Sequence, residues 1–360
     1  MSALERLRVY YTQHEGRFAA LFFAGGFIFD AFTADRVDSW VTIAQQALYL
    51  AIVTAVLTEM FFRPEAPPAE GMKRFYYRYR VALLSFLFGG LLNLYTIFFF
   101  KSSTLLVSFS FMLLMVALLV LNELHHFRWL GLSFKFVLLS ICGLSFCATA
   151  VPILVGRIGV TVFLLSLAVG CMPMIGLAWW IRKHAPERAA AVSAQILVPF
   201  GLVLVAFLAA YLFRVIPPVP LSLPYIGVYH GVERSGDQYR LSHERPAWRI
   251  WHNGDQDFRA QAGDRVFVFF RVFSPTRFAD EVRVHWFLRE ARGWTAQDSI
   301  PIKITGGRAE GFRGYGVKSN YQPGEWKVQV ETIDGREIGR IYFTLEPAPT
   351  SPRDFTVDVQ

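Results

Sequence analysis

Cysteine is scarce in this 360-residue sequence, which has three. Cys142, Cys147 and Cys171 all lie in apolar runs, and none follows residue 171. The C-terminal half therefore folds without disulfides, which neither requires nor excludes an oxidising compartment. Cys142 and Cys147 lack the Cys-x-x-Cys spacing of a redox motif and suit small apolar packing residues. Lysine is missing from the apolar run 191–213, which excludes the Schiff-base lysine that a retinal protein needs in its last span. GFRGYG at 311–316 is followed by no helical pattern, so it is not a dinucleotide fingerprint. It fits a bulged or closely approached strand. SHERP at 242–246 lacks the second histidine of a zinc-protease motif, and His230, His243, His252 and His285 show no metal-ligand spacing.

Charge is also thin, with 18% of residues Asp, Glu, Lys or Arg against 54% hydrophobic. The net charge of +8 is lopsided. Residues 1–214 hold 17 Lys and Arg against 10 Asp and Glu, whereas residues 215–360 hold 19 against 18. The basic residues punctuate hydrophobic segments, a membrane-topology pattern rather than a nucleic-acid surface.

A bilayer-spanning helix needs about 20 mainly apolar residues. Seven runs qualify, at 18–34, 39–62, 81–100, 104–122, 131–153, 158–181 and 191–213. Twelve Lys and Arg fall in the N-terminal segment and alternate linkers, against Arg36, Lys101, Arg157 and Arg214 in the others. The positive-inside rule then puts the N-terminus in the cytoplasm and, after seven crossings, residues 215–360 outside. Trp179 and Trp180 precede Arg182 and Lys183, as expected of a headgroup boundary.

The chain then reads RVIPPVPLSLPYIG at 214–227. Pro217 and Pro218 stop a helix, because each lacks an amide hydrogen and clashes with the preceding turn. An extended proline-rich spacer is expected over 215–226, about 25 Å long across Pro217–Pro224 at about 3.1 Å per residue. Beyond it the apolar period becomes two. Val282, Val284, Trp286 and Leu288 alternate with polar neighbours, as do Ile300, Ile302 and Ile304, and Trp326, Val328 and Val330. Residues 265–273 are apolar on nearly both faces, and Asp334-Gly335 marks a hairpin. The expected architecture is a seven-helix transmembrane domain over 1–214, the spacer, an immunoglobulin-like β-sandwich over 227–346 and a loose tail over 347–360.

Polar residues in the outer half of the bundle are either a site or helix–helix hydrogen bonds. Asp30, Gln45 and Asn93 are the candidates there. On the sandwich, Arg283, His285 and Arg289 share one strand face and could contact an anionic headgroup, a glycan acid or a protein, or lie solvated beside acids such as Glu281 or Glu331. His125 and His126 sit at a helix end and point apart, so no metal site is expected. No cofactor and no catalytic residue is assigned.

The segments GFIFDAFTADRVDSW (26–40), LVLNELHHF (119–127), IPPVPLSLP (216–224), HWFLRE (285–290) and PGEWKVQVETIDGREIG (323–339) together carry a resemblance. The chain resembles an uncharacterised bacterial family of multi-pass inner-membrane proteins with a C-terminal β domain of unknown function. That implies an architecture and no activity. The expected function is a non-enzymatic envelope protein, with its sandwich in the periplasm binding a protein, glycan or lipid partner. A transporter or lipid-handling role using the outer-half polar residues is the alternative. Membrane lipid is an expected partner and nucleic acid is not.

Overall fold

The computed structural model describes residues 38–64, 71–102, 113–118, 131–275, 278–306 and 311–360. The chain divides into two compact units. One draws on 1–97, 112–146 and 170–206, the other on 98–111, 147–169 and 207–360.

Among the described residues, five helices contain stretches long and apolar enough to cross a bilayer. They are α1 (Trp40–Phe62), α2 (Gly71–Lys101), α3 (Leu132–Val155), α4 (Val160–His184) and α5 (Pro186–Leu212). They match five of the expected runs. Two others, 18–34 and most of 104–122, lie outside the described residues, apart from a helical piece at 113–118. Thr54, Thr96, Ser140 and Ser166 each donate to the carbonyl four residues back at 2.7–2.8 Å, which satisfies these four hydroxyls within their own helices. α5 contains a π-turn at Ser193–Leu197, where Ser193 Oγ accepts from Arg182 Nη2 at 2.6 Å.

In the first unit, two basic side chains are tied to the C-terminal end of α1. Arg80 is buried, meets Glu59 Oε2 at 3.1 Å and donates to the carbonyls of Arg63 and Pro64. Arg188 donates to the Phe61 carbonyl at 2.7 Å.

The second unit holds the strands β1 (Ser222–Tyr229), β2 (Gly231–Ser235), β3 (Gln238–His243), β4 (Asp257–Ala260), β5 (Val266–Phe273) and β6 (Ala279–Glu290). β7 (Gly293–Thr305), β8 (Phe312–Lys318), β9 (Gly324–Thr332), β10 (Glu337–Pro347) and β11 (Thr356–Val359) follow. Sheet β1-β5-β8 and sheet β4-β10-β9-β6-β7 enclose one core, while β11-β3-β2 forms a small third sheet. The period-two pattern explains the core, because Val282, Val284, Trp286 and Leu288 of β6 all face inward with Trp326, Val328 and Val330 of β9. β5 is apolar on both faces because it serves two cores. Val268, Phe270 and Val272 enter the main one, and Phe269 packs with Tyr229 and Leu241 in the other.

Two expectations are corrected. Residues 216–221 are not an extended spacer: all six are buried, with turn bonds from Val219 N to Pro217 O and from Leu221 N to Pro218 O. The prolines do end the helix, but Ile216, Val219 and Leu221 are apolar and are buried as well. The last five residues of the expected spacer already belong to β1. The tail 347–360 is not loose either, because β11 pairs antiparallel with β3 from Thr356↔His243 to Val359↔Arg240.

Within this unit the sandwich is bonded to the helix ends. Ala279 N donates to Gly156 O at 3.2 Å, and Ile158 N to Asp280 Oδ2 at 3.2 Å. Arg336, buried beside the β9–β10 hairpin, donates to Asp334 Oδ2, Ile216 O and Tyr211 O at 2.9, 3.2 and 2.9 Å. Its guanidinium lies 3.4 Å from the Tyr211 ring centroid, and that ring stacks on Phe163. Gly335, at φ +75°, supplies the left-handed turn residue that the Asp-Gly pair announced.

Candidate functional site

The polar interior of the sandwich unit gathers around His230, the residue after β1. Chain order separates its neighbours widely, and the topology brings them together. Glu244 follows β3, Asp255 precedes β4, Asp264 lies in the β4–β5 turn and Arg353 comes from the tail. His230 Nε2 is 3.5 Å from Asp255 Oδ2 and 3.7 Å from Glu244 Oε2, and its Nδ1 is 3.8 Å from Asp264 Oδ2. Arg353 bridges Glu244 at 3.2 Å and Asp264 at 2.7 Å. The imidazole stacks on Phe258 with ring centroids 4.0 Å apart, and Phe355 covers it at 5.3 Å.

Two groups here titrate unusually. Burial, with the Arg353 guanidinium alongside, pushes the His230 imidazole down to about 4. Burial pushes the Asp255 carboxyl up to about 6, against a hydrogen bond from the Glu244 amide at 2.8 Å. Perturbed acids and bases beside a cleft mark functional sites. His230 Nε2 is buried with no hydrogen-bond partner. Among the described residues no three His, Cys, Asp or Glu side chains are placed to hold a metal ion.

Glu244 and Asp255 form one wall of a cleft of about 680 Å³, completed by Arg249, Arg259, Glu346 and tail residues 347–349 and 351–354. Gly254 allows the loop to lie against β1. At φ +68° it bridges Val228, and a Cβ there would stand 1.9 Å from the Val228 carbonyl oxygen. The same loop carries Trp248, Ile250 and Trp251, which are 63%, 83% and 65% exposed. The two indoles meet edge to face at 5.6 Å, and Arg249 lies over Trp248 and pairs with Asp257.

The residues singled out from sequence lie elsewhere. Asp30 is outside the described residues, as are His125 and His126. Gln45 is exposed on α1 and donates to Tyr49 Oη at 3.1 Å. Tyr49 packs against Gly90, where a Cβ would come within 3.3 Å of its ring, one turn before the half-buried Asn93. Arg283, His285 and Arg289 do share the outer face of β6. Acids on β9 sit beside them, with His285 Nδ1 3.3 Å from Glu331 Oε1 and Arg289 Nη1 2.5 Å from Glu325 Oε2. Burial raises the Glu331 carboxyl, and His285, Arg283 and Arg214 oppose that rise. The His230 cluster was invisible in sequence because its members are joined only by strand pairing. The one signal was a pair of tryptophans and an isoleucine in a segment too polar to be a strand.

Residues 279–345 match the family model described as a protein of unknown function, DUF2914. The match runs from the first residue of β6 to Leu345 in β10, so the His230 cluster lies outside it. No curated protein matches this chain. Among solved structures, an immunoglobulin-like protein from Pseudomonas aeruginosa covers 36% of this chain and 98% of its own, at 10% identity and a TM-score of 0.22. The Pseudomonas fluorescens alkylpurine DNA glycosylase AlkC, bound to DNA containing an abasic site analog, covers 86% of this chain and 99% of its own, at 11% identity and a TM-score of 0.21. Likenesses at these TM-scores carry no argument about fold or function.

Proposed function

We propose that this chain is a bacterial inner-membrane protein that presents an immunoglobulin-like sandwich to the periplasm as a binding module, without catalysis. In this reading seven helices cross the bilayer and the N-terminus is cytoplasmic. The long apolar helices and the unequal distribution of basic residues support that placement. The observation that carries the binding reading is the 680 Å³ cleft, floored by a buried charged network and walled by a loop with exposed tryptophans. Concave sites of this size with a few convergent polar groups are the usual form of a ligand site.

The placement is tested by labelling spheroplasts with a membrane-impermeant maleimide. Ser351→Cys, at the cleft, should react in intact spheroplasts. Lys183→Cys, at the end of α4, should react only after lysis. The reverse pattern would overturn the topology.

A further inference from the structure

We infer that the cleft beside the loop from Glu244 to Asp257 binds a neutral glycan chain, with Trp248 and Trp251 stacking on sugar rings. This rests on the binding-module reading and names its ligand class. The first ground is charge. Four arginines and five carboxylates line the cleft. An anion would meet the carboxylates and a cation the guanidiniums. A hydroxyl both donates and accepts, so a sugar can use both kinds of partner at once. Arg259 and Glu346, both exposed, stand on this lining as a donor and an acceptor.

The second ground is the rim. Large exposed apolar side chains in a cluster mark an interaction site. Here Arg249 lies over one face of Trp248 and pairs with Asp257, while Trp248 and Trp251 stay 63% and 65% exposed on the loop that walls the cleft. Sugars have the same division, with apolar C–H faces and hydroxyl edges. The third ground weighs against a peptide adding to the sheet. β4 is an edge strand, but on its outer side the tail already takes one carbonyl, where Arg353 Nη2 donates to Arg259 O at 2.7 Å.

The full chain in lipid nanodiscs is titrated with the N-acetylglucosamine tetramer and with maltotetraose, following tryptophan fluorescence and heat of binding. Glucuronate, inorganic phosphate and an extended peptide serve as contrasting probes. At least one neutral tetramer should bind. The Trp248→Ala/Trp251→Ala double variant should bind it roughly tenfold more weakly, with its melting temperature unchanged because both rings are exposed. Glu346→Ala should weaken it roughly threefold. Failure of both tetramers to bind, or binding that ignores loss of the tryptophans, overturns the inference. So does preferential binding of phosphate, glucuronate or peptide, which would still leave the sandwich a binding module. The maleimide labelling tests the placement separately, so failure of one is not failure of the other.

Discussion

Two arginines in the sandwich unit are used in opposite ways. Arg336, beside the β9–β10 hairpin, sends its N–H groups to three fixed acceptors at 2.9–3.2 Å and stacks on Tyr211. Two of those acceptors are backbone carbonyls, which do not titrate or change rotamer. Arg353, in the tail, reaches two carboxylates and lies 3.4 Å from an imidazole whose own carboxylate neighbours stand at 3.5–3.8 Å. Those are approach distances rather than good hydrogen bonds. The first arrangement locks the hairpin to the end of α5. The second, at the floor of the cleft, leaves protons and partners able to rearrange.

The contrast can be broken by mutation. Arg336→Ala should have the largest effect, about 3–5 kcal/mol of lost stability, because it removes three charge-assisted hydrogen bonds and leaves the buried Ile216 carbonyl without its donor. Thermal unfolding in detergent reads this, and a loss below about 1 kcal/mol would mean the knot is not what holds the hairpin.

The second test concerns pH. His230 has a folded pKa of about 4, below the model-peptide value of 6.5, so the unfolded chain binds more protons between those values and stability falls as pH falls. Asp255 has a folded pKa of about 6, above its ordinary 3.8, so the folded chain binds more protons and stability rises as pH falls. In the wild type the two nearly cancel between pH 4 and 6. Asp255→Asn should unmask the histidine and lose about 3 kcal/mol on going from pH 6.5 to pH 4. His230→Gln should show the opposite slope, gaining about 3 kcal/mol from pH 6 to pH 3.8. Parallel pH profiles for the two variants would refute the assignment.

Smaller effects sharpen the picture. Arg353→Gln should cost about 1–2 kcal/mol, since its loss loosens the tail without creating a fully buried orphan. Limited proteolysis after Pro347 should accelerate with it, and unchanged cleavage would show that β11 alone holds the tail. Last, a double-mutant cycle on Arg289 and Glu325, both more than half exposed, should give under about 1 kcal/mol of coupling. A larger value would make the outer face of β6 more than a solvated surface.

Much of the fold was legible because it is written in periodicity. Unbroken apolar runs marked α1 to α5, a run apolar on nearly both faces marked β5, and alternation marked β6, β7 and β9. The Asp334-Gly335 turn was read from two residues. What escaped was tertiary. The prolines of 217–224 announced a helix stop correctly, but their spacing gave no hint that Ile216, Val219 and Leu221 would be buried. Pro347, Pro349 and Pro352 disguised the short β11, whose residues alternate weakly. The site was least legible, since His230 and Arg353 are 123 positions apart and only strand pairing brings them within reach.

The buried turn at 216–221 has a mechanical consequence. With residues 216–221 packed as a buried turn, and with Arg336 joining the β9–β10 hairpin to the Tyr211 carbonyl, a load on the last turn of α5 meets two separate anchors instead of a free swivel.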